Sequence, residues 1–418
     1  MKNWAGNVTF GTERHVAPKS LDELSELVAA SRKIKVQGSK HSFNTIADST
    51  DTLVSLRNFF GIDEPDVESR TVKIGGGVTY GQLAVFLESR GWALSNLASL
   101  PHISVIGACA TATHGSGRLN KNLSNDLLSL DVMGPDGEVR SITAGSAEAK
   151  LACIGLGAVG VIVGATVRIE PTYSVRQWVY EELPFAVLTA YFDAVSSHGY
   201  SLSLFTNWTG ETVDQMWVKE REGGLFEGRS ECFGARLATE KLHPLRGMEA
   251  INCTEQMGVA GPWSERLAHF KLEFTPSAGE ELQSEFFVDF DQTTSAIEAL
   301  RAMGPEIAPL LFVSEIRFIA KDDLPMSPAF GSDIVAFHFT WRPMWEQVKQ
   351  VLQKIEATLA PFGARPHFGK LFTTPPGRLS EVYPRLSALR EYAQKWDPQG
   401  KFLNEFLCSR VFGIELPD

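Results

Sequence analysis

The sequence predicts an α+β protein of two domains, on three observations. Its 418 residues exceed the size at which one hydrophobic core usually divides. Residues 1–172 alternate helix-like and strand-like segments around glycine-rich turns. From residue 173 the texture changes to aromatic, β-branched runs: "NWTGETVDQMWV", "SEFFVDF", "LFVSEIRFIA" and "DIVAFHFTW". These read as strands of a large antiparallel sheet flanked by helices. The expected division is 1–172, 173–370 and a closing segment 371–418.

Each element has a local reason. In "SLDELSELVAASRK", Ser20 and Glu23 have capping-box spacing, and Leu21, Leu24, Leu27 and Val28 form an apolar stripe. "IKVQG" follows as a strand. "TVKIGGGVTYGQLAVFLESRG" gives a strand, a glycine bend and a helix, capped by Thr79 with Gln82 and stopped by Gly91. Residues 98–117 form a loop of small side chains, and "LLSLDVMGPDGEVRSIT" a hairpin turning at "PDG". "LACIGLGAVGVIVGATV" is uncharged for 17 residues, but four glycines interrupt it, so it reads as a buried strand after a tight turn. "WEQVKQVLQKIEATLAPF" is helical. So is the start of the closing segment, which periodicity alone does not dock.

Composition excludes several functions. With 44% hydrophobic and 21% charged residues the chain is an ordinary globular protein, and its net charge of −11 repels nucleic acid and anionic membrane. Five scattered cysteines contain no C-x-x-C pair, and nine histidines show no ligand spacing, so no metal is expected. The first residues lack the apolar stretch of a secretory signal, so a cytoplasmic location is expected.

"GLGAVG" at 155–160 matches G-x-G-x-x-G, but a helix precedes it and a strand follows, the reverse of a dinucleotide fingerprint. No G-x-S-x-G, H-E-x-x-H or Walker A motif occurs. Three loops rich in glycine and small residues remain, at 36–42, 98–117 and 157–164. Each brings backbone N–H groups within reach of a ligand. Any one of them is an ordinary turn. Together, and without a Walker lysine, they point to a diphosphate-bearing flavin held chiefly by backbone.

"GSKHSFN", "ASLPHISVIGACATATHGSG", "NCTEQMGVAGPW", "EFTPSAGEELQSE", "SEIR", "HFTW", "ARPHFGK" and "DPQGKFLN" resemble the alditol oxidases. These belong to the vanillyl-alcohol oxidase/p-cresol methylhydroxylase (PCMH) flavoprotein superfamily. The resemblance runs along essentially the whole chain. It implies a PCMH-type FAD-binding domain, a substrate (cap) domain and a closing segment that returns to the first. It also implies FAD joined covalently through its 8α-methyl group to His41, at the tip of the turn that ends "VQGSKH". Lys40 beside it is expected to disfavour imidazolium and favour the nucleophilic neutral ring. By the same resemblance Val36, Gln37, Gly38, Ser39, Lys40, His41 and Ser42 wrap the pyrophosphate. Ser104, Gly107, Ala108, Cys109, Ala110 and Thr111 line the flavin, and Val161 approaches the adenine end. Ser99 meets both flavin and substrate. His114 and Cys109 both read as structural parts of the 98–117 loop, a small buried cysteine behaving as a hydrophobe.

In a strand, Glu315 and Arg317 share a face, as do His338 and Thr340, while Phe337 and Phe339 point to the core. Periodicity alone fits a half-exposed sheet. The resemblance instead makes Ser99, Glu315, Arg317, His338, Thr340 and Lys370 the polyol site, with Lys370 and Arg317 catalytic. Read at period two, Lys370 would share a face with Phe368 and Phe372. The implied reaction converts a terminal –CH2OH of xylitol or sorbitol to the aldehyde, with O2 reduced to H2O2. A same-fold aldonolactone oxidase and a polyol dehydrogenase using another electron acceptor stay open. The implied partners are a small polyol and O2, with a monomer expected.

Overall fold

The computed structural model describes residues 1–143, 145–272 and 281–417. The "EFTPSAGE" part of one motif quoted above lies outside the described residues. The strands His15–Val16, Thr52–Val54 and Ile34–Val36 form a small parallel sheet in that order. Between the first and last of these in sequence runs the helix Leu21–Ala30. Ser20 accepts from the Glu23 N–H at its start, and Leu24, Leu27 and Val28 face the core. Leu21 is exposed, so the apolar stripe is one residue narrower than its spacing suggests. A four-stranded antiparallel sheet follows, ordered Thr71–Gly75, Val161–Arg168, Leu127–Met133, Val139–Thr143. The helix Tyr80–Glu88 carries the Thr79–Gln82 capping box. The loop read at 98–117 contains a short helix, Val105–Ala110, whose small residues gave no periodic signal.

The uncharged segment behaves as expected. Its first residues end the helix Ala147–Cys153, and its β-branched half is the strand Val161–Arg168. Gly160 joins them at φ +112, where an added Cβ would lie 2.6 Å from the Met133 carbonyl oxygen. Glycine is required there. No helix among the described residues is long and apolar enough to cross a membrane.

A ten-stranded sheet occupies the second part of the chain. Its central run is Ser174–Pro184, Thr212–Arg221, Ser201–Thr206, Leu311–Ile319, Ile334–Trp341, Leu282–Asp289, every neighbouring pair antiparallel. One face is apolar: Leu204, Ile316, Phe337, Phe339 and Phe286 pack against the helices Thr293–Ala302 and Trp345–Leu359. The second helix buries Val348, Val351, Leu352, Ile355 and Leu359, a stripe of period 3.6. Each such side chain contributes about 1.5–3 kcal/mol when fully buried.

The closing segment docks on the first part of the chain. Its helices Pro376–Val382 and Leu386–Trp396 join one core cluster with Val72, Ile74, Leu83 and Leu130. "DPQGKFLN" is tied down by polar contacts. The Lys401 ammonium donates to the Val28 carbonyl at 2.6 Å, and the Asn404 amide to the Thr45, Ile46 and Asp48 carbonyls. Contacts so distant in sequence are invisible to periodicity.

Candidate active site

A cavity of about 550 Å³ lies between the loops of the first part and the second face of the large sheet. Residues 36–44, parts of the loop 98–111 and residues 156–157 form one wall. Among the described residues, no protein acceptor takes the backbone N–H groups of Gly38, Ser39, Lys40, His41 or Ser42. Five consecutive free donors are an anion-binding concavity. Side chains there would fill the space: a Cβ at Gly38 or Gly107 would come within 2.4 or 2.5 Å of Ser104 Oγ. Gln37 Nε2 is buried without a partner. These features fit a diphosphate-bearing cofactor gripped by backbone.

His41 lines this wall, sandwiched between two rings. Trp4 stacks on it at 4.6 Å between centroids, and its Nε2 lies 2.6 Å from His102 Nε2, so the two imidazoles share one proton. Burial, and then His102, push the His41 pKa down to about 3, which keeps the ring neutral. Lys40 is not the cause: its ammonium points to Met1 Sδ at 3.7 Å, and its backbone sits at φ 63. Ser99, Ser104, Gly107, Ala108, Ala110 and Thr111 all line the cavity, as do Val36 to Ser42. Two expected flavin contacts do not. Cys109 turns inward from its helix to the Tyr80 hydroxyl, 3.5 Å away. Val161 is fully buried with Leu24, Val28 and Val54, and Leu156 and Gly157 take the position at the cavity. The strand's pleat turns Val161 away.

The opposite wall is the sheet's second face. Register sets Glu285 beside His338, His338 beside Glu315, and Gln283 beside Thr340. Side-chain alternation puts Gln283, Glu285, Glu315, Arg317, His338 and Thr340 on one side. Each lines the cavity. Lys370 joins them from elsewhere. It is not on a strand: the strand ends at Arg365–Pro366, and beyond it the His367 and Leu371 N–H groups still donate to the Glu285 and Gln283 carbonyls. A turn follows, in which the Gly369 N–H donates to His367 Nδ1 at 3.0 Å. Phe368 and Phe372 enter the hydrophobic core while Lys370 faces the cavity, so the three do not share a face. The first wall holds this turn: the Phe43 N–H donates to the Gly369 carbonyl, and the Asn44 amide to the Phe368 and Lys370 carbonyls.

Glu285, which the sequence reading missed, is the hub of the site. Its carboxylate takes Arg317 at 2.5 Å on one oxygen and Lys370 at 2.8 Å on the other, with His114 Nε2 at 3.4 Å. His114 therefore belongs to the site. Burial would raise the Glu285 pKa, but Lys370, Arg317 and His114 together hold it well below the carboxylate range. Glu315 is likewise held low against burial by Arg317 and His269, whose Nε2 lies 2.7 Å away. Burial lowers the Lys370 pKa, Glu285 opposes that, and Arg317 adds to it. His338 stays neutral through burial and Lys370, and its Nε2 donates to Gln283 Oε1 at 3.1 Å. A charged residue amid the apolar strand "LQSEFFVD" was the available signal for Glu285.

Residues 12–143 match the FAD binding domain family, and residues 279–410 the D-arabinono-1,4-lactone oxidase family. An alditol oxidase from Streptomyces sp. (strain IKD472 / FERM P-14339) is 42% identical over 98% of this chain and 99% of its own. The chain belongs to the alditol oxidase family. It is thereby a flavoprotein of the vanillyl-alcohol oxidase/PCMH superfamily, and FAD is its cofactor. The L-gulonolactone oxidase of Mus musculus is more distant, at 24% identity over 98% of each chain. In fold, the chain resembles cholesterol oxidase from B. sterolicum with a TM-score of 0.78 at 12% identity, covering 97% of this chain and 95% of that one.

Proposed function

We propose that the protein oxidises the terminal –CH2OH of an acyclic polyol such as xylitol or sorbitol to the aldehyde, with O2 reduced to H2O2. The observation that carries this reading is the polar sheet face with Lys370, which shares one cavity with the glycine-rich loops. Bound FAD would supply hydride acceptance at the substrate carbon and transfer of the electrons to O2. Residues 36–42 would hold its diphosphate, and His41 its 8α-methyl carbon covalently. The depressed pKa of His41 supports the covalent link, since a neutral ring is the nucleophile.

The substrate offers only hydroxyls, so recognition rests on paired polar groups. Glu315 accepts from one or two hydroxyls; Ser99, His338 and Thr340 orient the rest. A short alcohol would leave these buried groups unpaired, at about 1–3 kcal/mol each. Arg317 and Lys370 act at the reacting end. Arg317 stays charged and stabilises developing alkoxide, while Lys370, whose pKa burial lowers, takes the hydroxyl proton in its neutral amine form. Glu285 holds both in place. We divide the chain at 172 and 370 and take it as a monomer. Five free, buried cysteines suit a reducing compartment and support a cytoplasmic setting.

Anaerobic xylitol should bleach the bound flavin, and air should then release one H2O2 per turnover. Bleaching by a 1,4-lactone but not by xylitol or sorbitol would overturn the reading in favour of a lactone oxidase. Bleaching without peroxide would make the protein a dehydrogenase. Acid precipitation should carry the yellow colour down with the protein, and His41→Ala should release it to the supernatant.

A further inference from the structure

Beside the polyol wall, on the same face of the sheet, lies a buried lysine whose pKa burial lowers to about 7 and which touches neither cavity nor carboxylate. Lys219, on the strand Thr212–Arg221, is 1% exposed. Its ammonium donates to the Leu267 carbonyl at 2.6 Å and the Ala268 carbonyl at 2.9 Å, and lies 3.5 Å from His269 Nδ1. The other ring nitrogen of His269 is 2.7 Å from Glu315 Oε1. Glu315 is ionised, because Arg317 and His269 outweigh burial. A contact this short with a carboxylate therefore requires the proton on Nε2. Burial lowers the His269 pKa and keeps the ring neutral, so Nδ1 carries a lone pair, and Lys219 is its donor. The rings of Phe205 and Trp217 meet the imidazole edge-on at 5.5 and 5.4 Å between centroids and block its rotation. The His269 backbone N–H also donates to the Ser99 carbonyl at 3.3 Å. One residue thus steadies two proposed polyol contacts from opposite walls.

We infer that Lys219 is a positioning residue for polyol binding: it fixes His269 as an Nε2–H donor, which aims Glu315 into the cavity. The inference rests on the role proposed above for Glu315. The relay leaves Glu315 Oε2, 3.6 Å from Arg317 Nε, as the oxygen open to substrate. Lys219 acts before chemistry, on how well the polyol is held.

The test is stopped-flow anaerobic reduction of the flavin-loaded protein by xylitol, which separates Kd from the limiting reduction rate. Lys219→Met should raise Kd about tenfold and leave the limiting rate within about threefold. His269→Leu should do the same. His269→Gln, whose amide restores an N–H near Nε2, should recover most of the affinity. Unchanged Kd in Lys219→Met would by itself overturn the inference, as would unchanged Kd in His269→Leu, or equal losses in the Leu and Gln variants, which mark a packing role. If Lys219→Met fails to retain flavin, the two His269 variants decide. Glu315→Gln is the control: a normal Kd there overturns the polyol role of Glu315 itself, whereas a raised Kd there with normal Lys219 and His269 variants overturns only the relay.

Discussion

The two faces of the large sheet are both buried and entirely different. On the strand Leu311–Ile319, Ile316 and Phe318 are fully buried against the helices, while Glu315 and Arg317 are 5% and 6% exposed on the other side. Burial does not separate core from site here. Pairing does. The helix side is held by contact area, which falls off gradually as atoms are removed. The cavity side is held by charges whose desolvation is offset only while every partner stays in place. It should be brittle to chemical change and indifferent to small changes in volume.

The largest effect should come from the hub. Glu285→Gln leaves Arg317 and Lys370 buried beside a neutral amide, which should cost about 3–5 kcal/mol in denaturant unfolding. The apolar face should answer differently. Leu352→Ala, in the helix Trp345–Leu359, should cost about 2–5 kcal/mol in the same measurement but leave the xylitol Kd unchanged. A shifted Kd there would mean that the two faces are mechanically coupled.

Within the charged face, loss of a cation should appear in rate rather than in binding. Lys370→Met and Arg317→Leu should each slow anaerobic flavin reduction about 10²-fold or more, with flavin content intact. Near-normal rates in both would move the chemistry away from this end of the cavity.

The smallest effect is on acid stability. Burial and Lys370 push the His367 pKa from 6.5 down to about 3. Below pH 6.5 the unfolded chain binds a proton at His367 that the folded one refuses until about pH 3. Stability is thus full above 6.5 and declines as the pH falls, by about 1.4 kcal/mol per pH unit for this group. Between pH 6.5 and 5 the depressed carboxylates add little, so His367→Asn should flatten the slope by that amount. An unchanged slope would mean that His367 is not kept neutral by its surroundings.

The sequence by itself determined the local elements and the glycine-rich loops, because caps, turns and periodicity act over a few residues. The Thr79–Gln82 box, the turn at Gly160 and the shared faces of Glu315 with Arg317 and His338 with Thr340 needed no tertiary information. Motif resemblance supplied the family. Only the tertiary structure decided which polar side chains meet. Glu285 reaches Lys370 across 85 residues, and His269 reaches Glu315 across 46. Asn44 ties the first wall to Lys370 from 326 residues away. The same fold turned Cys109 and Val161 inward and brought His114 to Glu285. Such pairings depend on strand order and register, which many residues fix jointly, whereas alternation along a strand says only which side a residue faces.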